Sequence, residues 1–239
     1  MGEPVLWLGG WASNLACWRP ELESLYPGRE HSFLDAHEAI ADPSTLRKGL
    51  SALSEEGTLV AWSLGSLILH ASLERGEAGP VRRMVSVSPI FDFCGSGLWP
   101  AAVVDRMIAR LSRNRESVLE NFLHRVKGET PLAPATETSW RRQSEGYSLE
   151  TLVRGLEALR DLRADPGRIF GDERVTFLAS PRDPMSPWSG SGATLRSWVP
   201  YPRGHLPFLE FPGLLAPLLS GTGLAPVLRS PSFSGASRQ

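Results

Sequence analysis

Short apolar runs alternate with longer amphipathic segments over the first 95 residues of the sequence. Runs of about five apolar residues are typical of buried strands, and the segments between them repeat apolar positions at helical spacing. This pattern predicts strands at 5–8, 31–34, 58–62 and 84–87, and helices at 18–25, 44–53 and 64–73. Strands and helices that alternate in this way predict an α/β fold, in which helices flank a mostly parallel sheet.

The pattern changes between residues 98 and 165, where helical spacing continues and no strand is indicated. One segment, for example, repeats apolar side chains at i, i+3, i+4 and i+7 from Val104. Strands are predicted again at 175–179 and 198–199, followed by a closing helix at 206–219. We therefore expect an α/β core formed by residues 1–95 and 166–222, an inserted helical lid at 96–165 and a flexible tail at 223–239.

Charge and cysteine content narrow the classes of function. The chain has 25 Lys and Arg against 26 Asp and Glu, so its formal charge of −1 provides no global field for binding nucleic acid or an anionic membrane. Cys17 and Cys94 are too few for a disulfide framework and too far apart for a metal or redox pair. No basic leader or apolar run of about 20 residues occurs, so we expect a cytoplasmic protein without a membrane span. Phosphate-loop, zincin and dinucleotide-binding motifs do not occur either, so no metal or cofactor is expected.

The segment AWSLG, residues 61–65, follows a predicted strand and opens a predicted helix. Small residues two positions on either side of Ser63 allow the strand and the helix to meet in a tight turn, which projects the hydroxyl above the sheet. This context indicates a nucleophilic serine. A serine at the start of a helix is also a common N-cap, so the motif alone leaves both interpretations open.

A serine hydroxyl is a weak nucleophile until a base takes its proton, so a histidine and an acid that orients it are required. Asp183 follows the predicted strand at 175–179, and His205 precedes the closing helix, which gives the chain order Ser, Asp, His. An Asp before Pro also favours a turn. Asp92 follows another strand and is a rival acid, but we favour Asp183. The remaining histidines are expected to be surface or packing residues: His31, His37, His70 and His124.

Stabilising a tetrahedral oxyanion requires two backbone N–H donors, one after the nucleophile and one from the loop after an early strand. Leu64 supplies the first donor. The loop GGWA, residues 9–12, follows the first predicted strand, and we select the N–H of Trp11 as the second donor. A glycine turn with Trp11 packed in the core would give the same pattern.

With these residues assembled, the chain resembles the α/β-hydrolase superfamily over nearly its whole length. More narrowly, it resembles the pimeloyl-acyl-carrier-protein methyl ester esterases of biotin synthesis. The segments LGGWASNLACW, AWSLGS, GLEALRDLRADP and GHLPFLEFP are similar to that family's oxyanion loop, elbow, end of the lid and histidine loop. The resemblance implies an α/β-hydrolase fold, a triad of Ser63, Asp183 and His205, oxyanion donors at Trp11 and Leu64, and no cofactor.

The sequence departs from that family at three positions. Gly9 stands where the family has a histidine, and Ala12 and Ala61 stand where it has glycines. Serine hydrolases with this type of elbow cleave many esters and thioesters, so the fold alone does not select a substrate.

The family's substrate is carried on an acidic acyl-carrier protein, so the resemblance implies a basic surface on the lid. Residues 95–170 contain 12 Lys and Arg against 10 Asp and Glu. The candidates for carrier-protein binding are Arg106, Arg110, Arg113, Arg141, Arg142 and Arg154. The first three fall at i, i+4 and i+7 and therefore share one helix face, although a merely solvated face would show the same spacing.

We therefore expect a serine carboxylesterase that hydrolyses the methyl ester of pimeloyl-acyl-carrier protein to the free carboxylate and methanol. One alternative is a general short-chain carboxylesterase or thioesterase with the same triad. A second alternative is a binding protein that keeps the hydrolase fold without catalysis. The presence of a nucleophile, an acid and a base in the required order favours an enzyme.

Overall fold

Six parallel strands form one sheet in the computed structural model, which describes residues 3–53, 57–77, 79, 81–95, 97–187 and 198–220. The strands are β1 (Pro4–Leu8), β2 (Glu30–Leu34), β3 (Thr58–Trp62), β4 (Arg83–Val87), β5 (Val175–Ala179) and β6 (Trp198–Pro200). They lie in the order β2-β1-β3-β4-β5-β6, and every neighbouring pair is parallel. The predicted α/β class with a mostly parallel sheet is confirmed.

The helices within these ranges follow the strands in the predicted alternation. They are α1 (Arg19–Leu25), α2 (Ala36–Ala41), α3 (Pro43–Ala52), α4 (Leu64–Glu74), α5 (Ala101–Leu111), α6 (Arg115–Lys127), α7 (Pro134–Gly146), α8 (Leu149–Asp161), α9 (Pro166–Ile169), α10 (Pro207–Glu210) and α11 (Pro212–Leu219), with a 3₁₀ turn at Leu15–Trp18 before α1.

Both faces of the sheet are covered, as parallel sheets require. On one face, the ring of Trp7 in β1 packs against Tyr26 and Phe208, with ring centroids 5.8 and 6.2 Å away. On the other face, Leu6 packs against Gly49 of α3, where a Cβ atom would lie 3.2 Å from the leucine side chain. Successive residues of β1 therefore contribute to opposite halves of the core.

Four consecutive helices, α5–α8, lie between β4 and β5 and are called here the helical insertion (101–161). Among described residues 97–174 no strand occurs, in agreement with the helical pattern of the sequence. The apolar stripe that begins at Val104 points inwards, with Val104 and Leu111 buried. Within the structure, α8 packs against α2 and α5, and α7 packs against the 3₁₀ turn. The insertion therefore covers the loop that follows β1.

The sequence-based prediction of the helices needs correction at two places. The single helix expected at 206–219 is two helices, because Pro212 cannot continue the hydrogen-bond pattern of α10 and excludes helical geometry at Phe211, which has φ −131° and ψ 58°. The helix α2 was not predicted. It begins after Asp35, whose side chain accepts the N–H of His37 and caps the helix.

No helix in the described part of the chain has both the length and the apolar character needed to cross a membrane. The tail predicted at 223–239 lies outside the described residues.

Candidate active site

Ser63 lies in the tight turn between β3 and α4 and has φ 57° and ψ −118°. This left-handed backbone is strained for any residue other than glycine. The glycine two residues after Ser63 lets α4 approach the loop after β1 very closely, because a Cβ atom on Gly65 would lie 2.5 Å from the carbonyl oxygen of Gly9. The predicted strand, turn and helix are therefore present, and the Ser63 side chain lies beyond the carboxyl end of β3.

The structure brings the three residues of the predicted triad together. Oγ of Ser63 lies 3.0 Å from Nε2 of His205. Nδ1 of the same imidazole lies 2.8 Å from both Oδ1 and Oδ2 of Asp183. The histidine is fully buried, and the serine and the aspartate are 8% and 2% exposed. The carboxylate requires a proton on Nδ1, so Nε2 can accept the hydroxyl proton of Ser63.

The carboxylate of Asp183 is surrounded by donors. Oδ1 accepts the backbone N–H groups of Met185 at 2.8 Å and Ser186 at 3.0 Å, and Oδ2 accepts the hydroxyl of Tyr201 at 2.9 Å. Burial opposes ionisation, but the charge and hydrogen bond of His205, together with the two backbone N–H groups, hold the pKa of Asp183 below its ordinary value. The carboxylate is therefore ionised at neutral pH.

Two aromatic residues of this site were not predicted as site residues. Tyr201 donates to Asp183 and lies 2.9 Å from Oγ of Ser88, and burial raises its pKa well above the ordinary value, so it remains a hydrogen-bond donor. Trp62 donates its indole N–H to the carbonyl oxygen of His205 at 2.8 Å. In the sequence, both residues have only the character of core aromatics, and no spacing relates them to the histidine.

The rival acid, Asp92, is not brought to the histidine. Its carboxylate forms an ion pair with Arg163 at 2.8 Å and accepts the backbone N–H of Gly95 at 2.7 Å. The side chain is 41% exposed, on the surface beyond β4. The geometry therefore agrees with the preference for Asp183.

The loop of residues 9–14, called here the β1 loop, lies against the turn that carries Ser63. A Cβ atom on Gly10 would lie 3.3 Å from Cβ of Ser63. The N–H of Trp11 donates to no other atom of the described residues. Leu64 is the first residue of α4, so its N–H has no acceptor within the helix. Both predicted donors therefore belong to segments that meet at Ser63.

A groove of about 670 Å³ lies between α5 and α6 and is called here the α5–α6 groove. Its apolar lining includes Trp99, Val103, Met107, Val118 and Phe122, and its basic lining consists of Arg110, Arg113 and Arg125. The indole N–H of Trp99 donates to the carbonyl oxygen of Met185 at 3.0 Å, and the ring of Phe122 meets that of Trp11 edge-on at 4.5 Å. The base of the groove therefore adjoins the loops that carry Asp183 and Trp11.

The six arginines predicted for carrier-protein binding do not form one cluster. Arg110 and Arg113 line the α5–α6 groove, together with Arg125, which was not predicted. The guanidinium group of Arg125 lies 4.9 Å from the ring centroid of Trp99. The other four predicted arginines lie outside the groove, and two of them form ion pairs with glutamates: Arg106, Arg142, Arg141 (with Glu120) and Arg154 (with Glu150).

No protein-family model matches the sequence, and no curated protein matches it. Several solved structures of esterases have a fold similar to that of this chain. An esterase from Exiguobacterium antarcticum has a TM-score of 0.72 and 16% sequence identity, covering 92% of this chain and 91% of that one. A thermophilic esterase from Thermogutta terrifontis has a TM-score of 0.70 and 14% identity, covering 95% and 91%. An esterase from Rhodococcus sp. has a TM-score of 0.66 and 18% identity, covering 93% and 92%. The chain has the α/β-hydrolase fold of these proteins.

Proposed function

We propose that this chain is a serine carboxyl-ester hydrolase in which Ser63 is the nucleophile, His205 the general base and Asp183 the acid that orients the base. The observation that carries the proposal is the continuous hydrogen-bonded line from Oγ of Ser63 through the imidazole to the carboxylate, with distances of 3.0 and 2.8 Å. The strained backbone at Ser63 supports it, because strain of this kind persists where a site requires it.

The geometry supports a two-step acyl transfer. Oγ of Ser63 attacks the ester carbonyl while Nε2 of His205 takes its proton. The tetrahedral intermediate expels the alcohol, which receives that proton, and leaves an acyl group on the serine. A water molecule then gives a proton to the same nitrogen and attacks the acyl carbon. The bond between that carbon and Oγ breaks, the serine takes the proton back from Nε2, and the acid is released. The carboxylate of Asp183 stabilises the imidazolium that forms in each step.

The backbone N–H groups of Trp11 and Leu64 are proposed as the donors to the oxyanion. Both come from segments in contact with Ser63, one from the β1 loop and one from the start of α4. The N terminus of α4 adds the positive end of its helix dipole at the same position. Loss of one such donor costs about 10² to 10³ in rate.

For the substrate, we propose an acyl ester carried on an anionic partner, specifically the methyl ester of pimeloyl-acyl-carrier protein. The similarity of four sequence segments to the esterases of that reaction supports this choice. The α5–α6 groove supports it physically, because an apolar lining suits an acyl chain and arginines suit the phosphate or carboxylates of a carrier. Within the described residues, neither Arg110 nor Arg113 has an ion-pair partner, so both are available to an anion.

A general short-chain carboxylesterase is the second candidate. The observation that favours it is the fold of the structural neighbours, several of which are described as esterases without mention of a carrier protein. Such an enzyme would use the same three residues and would not need the arginines of the groove.

The experiment compares hydrolysis of pimeloyl-acyl-carrier-protein methyl ester with that of p-nitrophenyl acetate and butyrate. We expect Ser63→Ala to abolish all three activities and labelling by a fluorophosphonate. If the wild-type protein neither turns over an ester nor reacts with the probe, the hydrolase proposal is wrong. If it cleaves only the small esters, the carrier-borne substrate is wrong and the general esterase is correct.

A pair of charge-matched variants tests the groove. The double variant Arg110→Gln, Arg113→Gln should raise KM for the carrier-borne ester about tenfold or more, because each arginine removed loses a charge-assisted contact, and should leave p-nitrophenyl butyrate hydrolysis unchanged. The control, Arg47→Gln with Lys48→Gln, removes two exposed cations from α3, outside the groove. Equal effects of the two double variants would show only a general charge effect.

A further inference from the structure

The helical insertion is bonded directly to the β1 loop. Hydrogen bonds connect four successive residues of the loop with α7 and α8: Trp11 Nε1 to the Leu152 carbonyl at 2.9 Å, Ser144 Oγ to the Ala12 carbonyl at 2.7 Å, Trp140 Nε1 to Ser13 Oγ at 2.7 Å, and Asn14 N to Gln143 Oε1 at 2.9 Å. These partners are buried or half-buried. The loop that carries one proposed oxyanion donor is therefore held by the insertion as well as by the sheet.

His37 completes this support. It is 6% exposed, and its Nε2 atom accepts the backbone N–H of Ala12 at 3.1 Å. Nε2 must therefore be unprotonated, which places the proton of the neutral imidazole on Nδ1. The ring lies 4.8 Å from that of Tyr147, whose hydroxyl donates to Asp35. Asp35 in turn accepts the backbone N–H of His37 at 2.8 Å. His37 is therefore held at its backbone by Asp35 and at its ring by the N–H of Ala12.

Ala12 is the residue that needs this support. Its φ of 51° lies in the left-handed region, where a residue with a Cβ atom is strained. Such a conformation persists only when its surroundings impose it. Here His37 accepts the N–H of Ala12, and Ser144 donates to its carbonyl oxygen. The first of these bonds sets the plane of the peptide between Trp11 and Ala12, next to the N–H of Trp11.

The glycine at position 155 shows how closely α8 packs against this arrangement. Gly155 lies inside α8, where glycine is unfavourable for a helix. A Cβ atom there would lie 2.4 Å from Cε1 of His37 and 2.6 Å from Cδ1 of Trp11. The absence of a side chain lets the helix backbone contact both residues.

We propose that His37 is a positioning residue for the oxyanion hole. By accepting the N–H of Ala12, it holds the β1 loop in the conformation that directs the N–H of Trp11 towards the substrate carbonyl, while α7 and α8 act as a fixed support. The inference rests on the hydrolase function proposed above. It assigns this role to a histidine that does not contact Ser63, and it divides the insertion into a supporting half and the half that forms the α5–α6 groove.

Two substitutions separate the hydrogen bond from simple packing. His37→Gln places a carboxamide oxygen near the position of Nε2 and keeps an acceptor for Ala12, whereas His37→Leu removes the acceptor. With p-nitrophenyl butyrate, we expect the leucine variant to lose roughly 10- to 100-fold in kcat, with KM changed by less than about threefold, since an oxyanion donor acts in the transition state. The glutamine variant should stay within about threefold of wild type. Binding of a boronic acid, which mimics the tetrahedral intermediate, should weaken in parallel with kcat.

The matched control is His31, a half-buried histidine that also accepts an N–H group, that of the Trp7 indole at 3.0 Å. His31→Leu should leave kcat within about threefold of wild type. Equal losses in His37→Gln and His37→Leu, or no loss in His37→Leu, would overturn the proposal.

Hydrogen exchange at the Ala12 amide provides a measurement that is independent of activity. It should be about tenfold or more faster in His37→Leu than in the wild type, and close to the wild-type rate in His37→Gln. If the wild-type protein has no esterase activity but these exchange rates differ as expected, the hydrolase proposal fails and the positioning of the loop stands. If the exchange rates do not differ, the positioning proposal fails whatever the activity.

Discussion

Replacing Asp183 with asparagine tests the arrangement of the site with almost no change in side-chain shape. Oδ1 accepts the N–H groups of Met185 and Ser186, so the amide oxygen of an asparagine is held at that position. The amide nitrogen then takes the place of Oδ2, beside the Tyr201 hydroxyl and Nδ1 of His205. Nδ1 lies 2.8 Å from both carboxylate oxygens, and an amide N–H directed at it favours the tautomer in which Nδ1 accepts and the imidazole proton lies on Nε2.

The expected loss follows from that change of tautomer. With its proton on Nε2, the imidazole faces Oγ of Ser63 at 3.0 Å as a donor and cannot take the hydroxyl proton. A wrong tautomer of this kind lowers kcat by roughly 10⁴, which corresponds to about 5 kcal/mol of transition-state stabilisation at 1.36 kcal/mol per tenfold change. KM should change little, because Asp183 is 2% exposed and does not reach the substrate.

The assay is steady-state hydrolysis of p-nitrophenyl butyrate by the wild type, Asp183→Asn and the control Asp92→Asn. The control should remain within about twofold of wild type, because its carboxylate lies at the surface, where it pairs with Arg163 and accepts the N–H of Gly95, and does not contact His205. Thermal unfolding checks that each variant is folded. A folded Asp183→Asn protein that keeps more than about a tenth of kcat, or a large loss in Asp92→Asn, would refute the assignment of the acid.

Three further predictions concern Tyr201, Gly155 and His70. Tyr201→Phe removes one donor to the buried carboxylate, and we expect kcat to fall about tenfold with little change in KM, measured in the same assay. Gly155→Ala places a Cβ atom 2.4 Å from His37 and should lower the free energy of unfolding by about 1–3 kcal/mol, measured as a lower Tm. Its control, Gly146→Ala, has open space around the new Cβ atom and should leave Tm unchanged or higher. Burial lowers the pKa of His70 to about 4 from 6.5. Because the unfolded chain therefore binds the proton at higher pH than the folded protein, the free energy of unfolding should fall as the pH drops from 6.5 to 4, by about 3 kcal/mol in all. In His70→Gln, denaturant titrations between these pH values should show a smaller slope of stability against pH, and equal slopes would contradict the assignment.

The strands and the turn at Ser63 were predictable because their signals are local. Thr58–Trp62 is a buried run that ends at Ser63, and small residues at positions 61 and 65 follow from the close packing of β3 and α4. The approach of the three site residues to one another could also be predicted, because the carboxyl ends of parallel strands meet at one edge of the sheet. The residues after β5 and β6 therefore had to approach Ser63.

The support of the site could not be predicted, because its contacts join segments far apart in the sequence. The bond between the Trp11 indole and the Leu152 carbonyl spans 141 positions, and the bond from Asn14 to Gln143 spans 129. His37 follows a strand and has the character of a packing residue, so nothing near it in the sequence indicates that it accepts the N–H of Ala12. Its role depends on the packing of α8 against the β1 loop, which only the tertiary structure shows.

The contrast between two serine–histidine pairs shows which features of the site matter. Ser86 and His70 are also in hydrogen-bond contact, with Oγ 2.9 Å from Nε2, much as in the proposed active site. However, Nδ1 of His70 lies 2.8 Å from the Ile90 carbonyl and faces no carboxylate of the described residues, and both residues of the pair are fully buried. An imidazolium there would have no counter-charge, and no substrate could reach the hydroxyl. A serine–histidine contact therefore indicates chemistry only where, as at Ser63, it lies at the carboxyl edge of the sheet with an ionised carboxylate behind the imidazole.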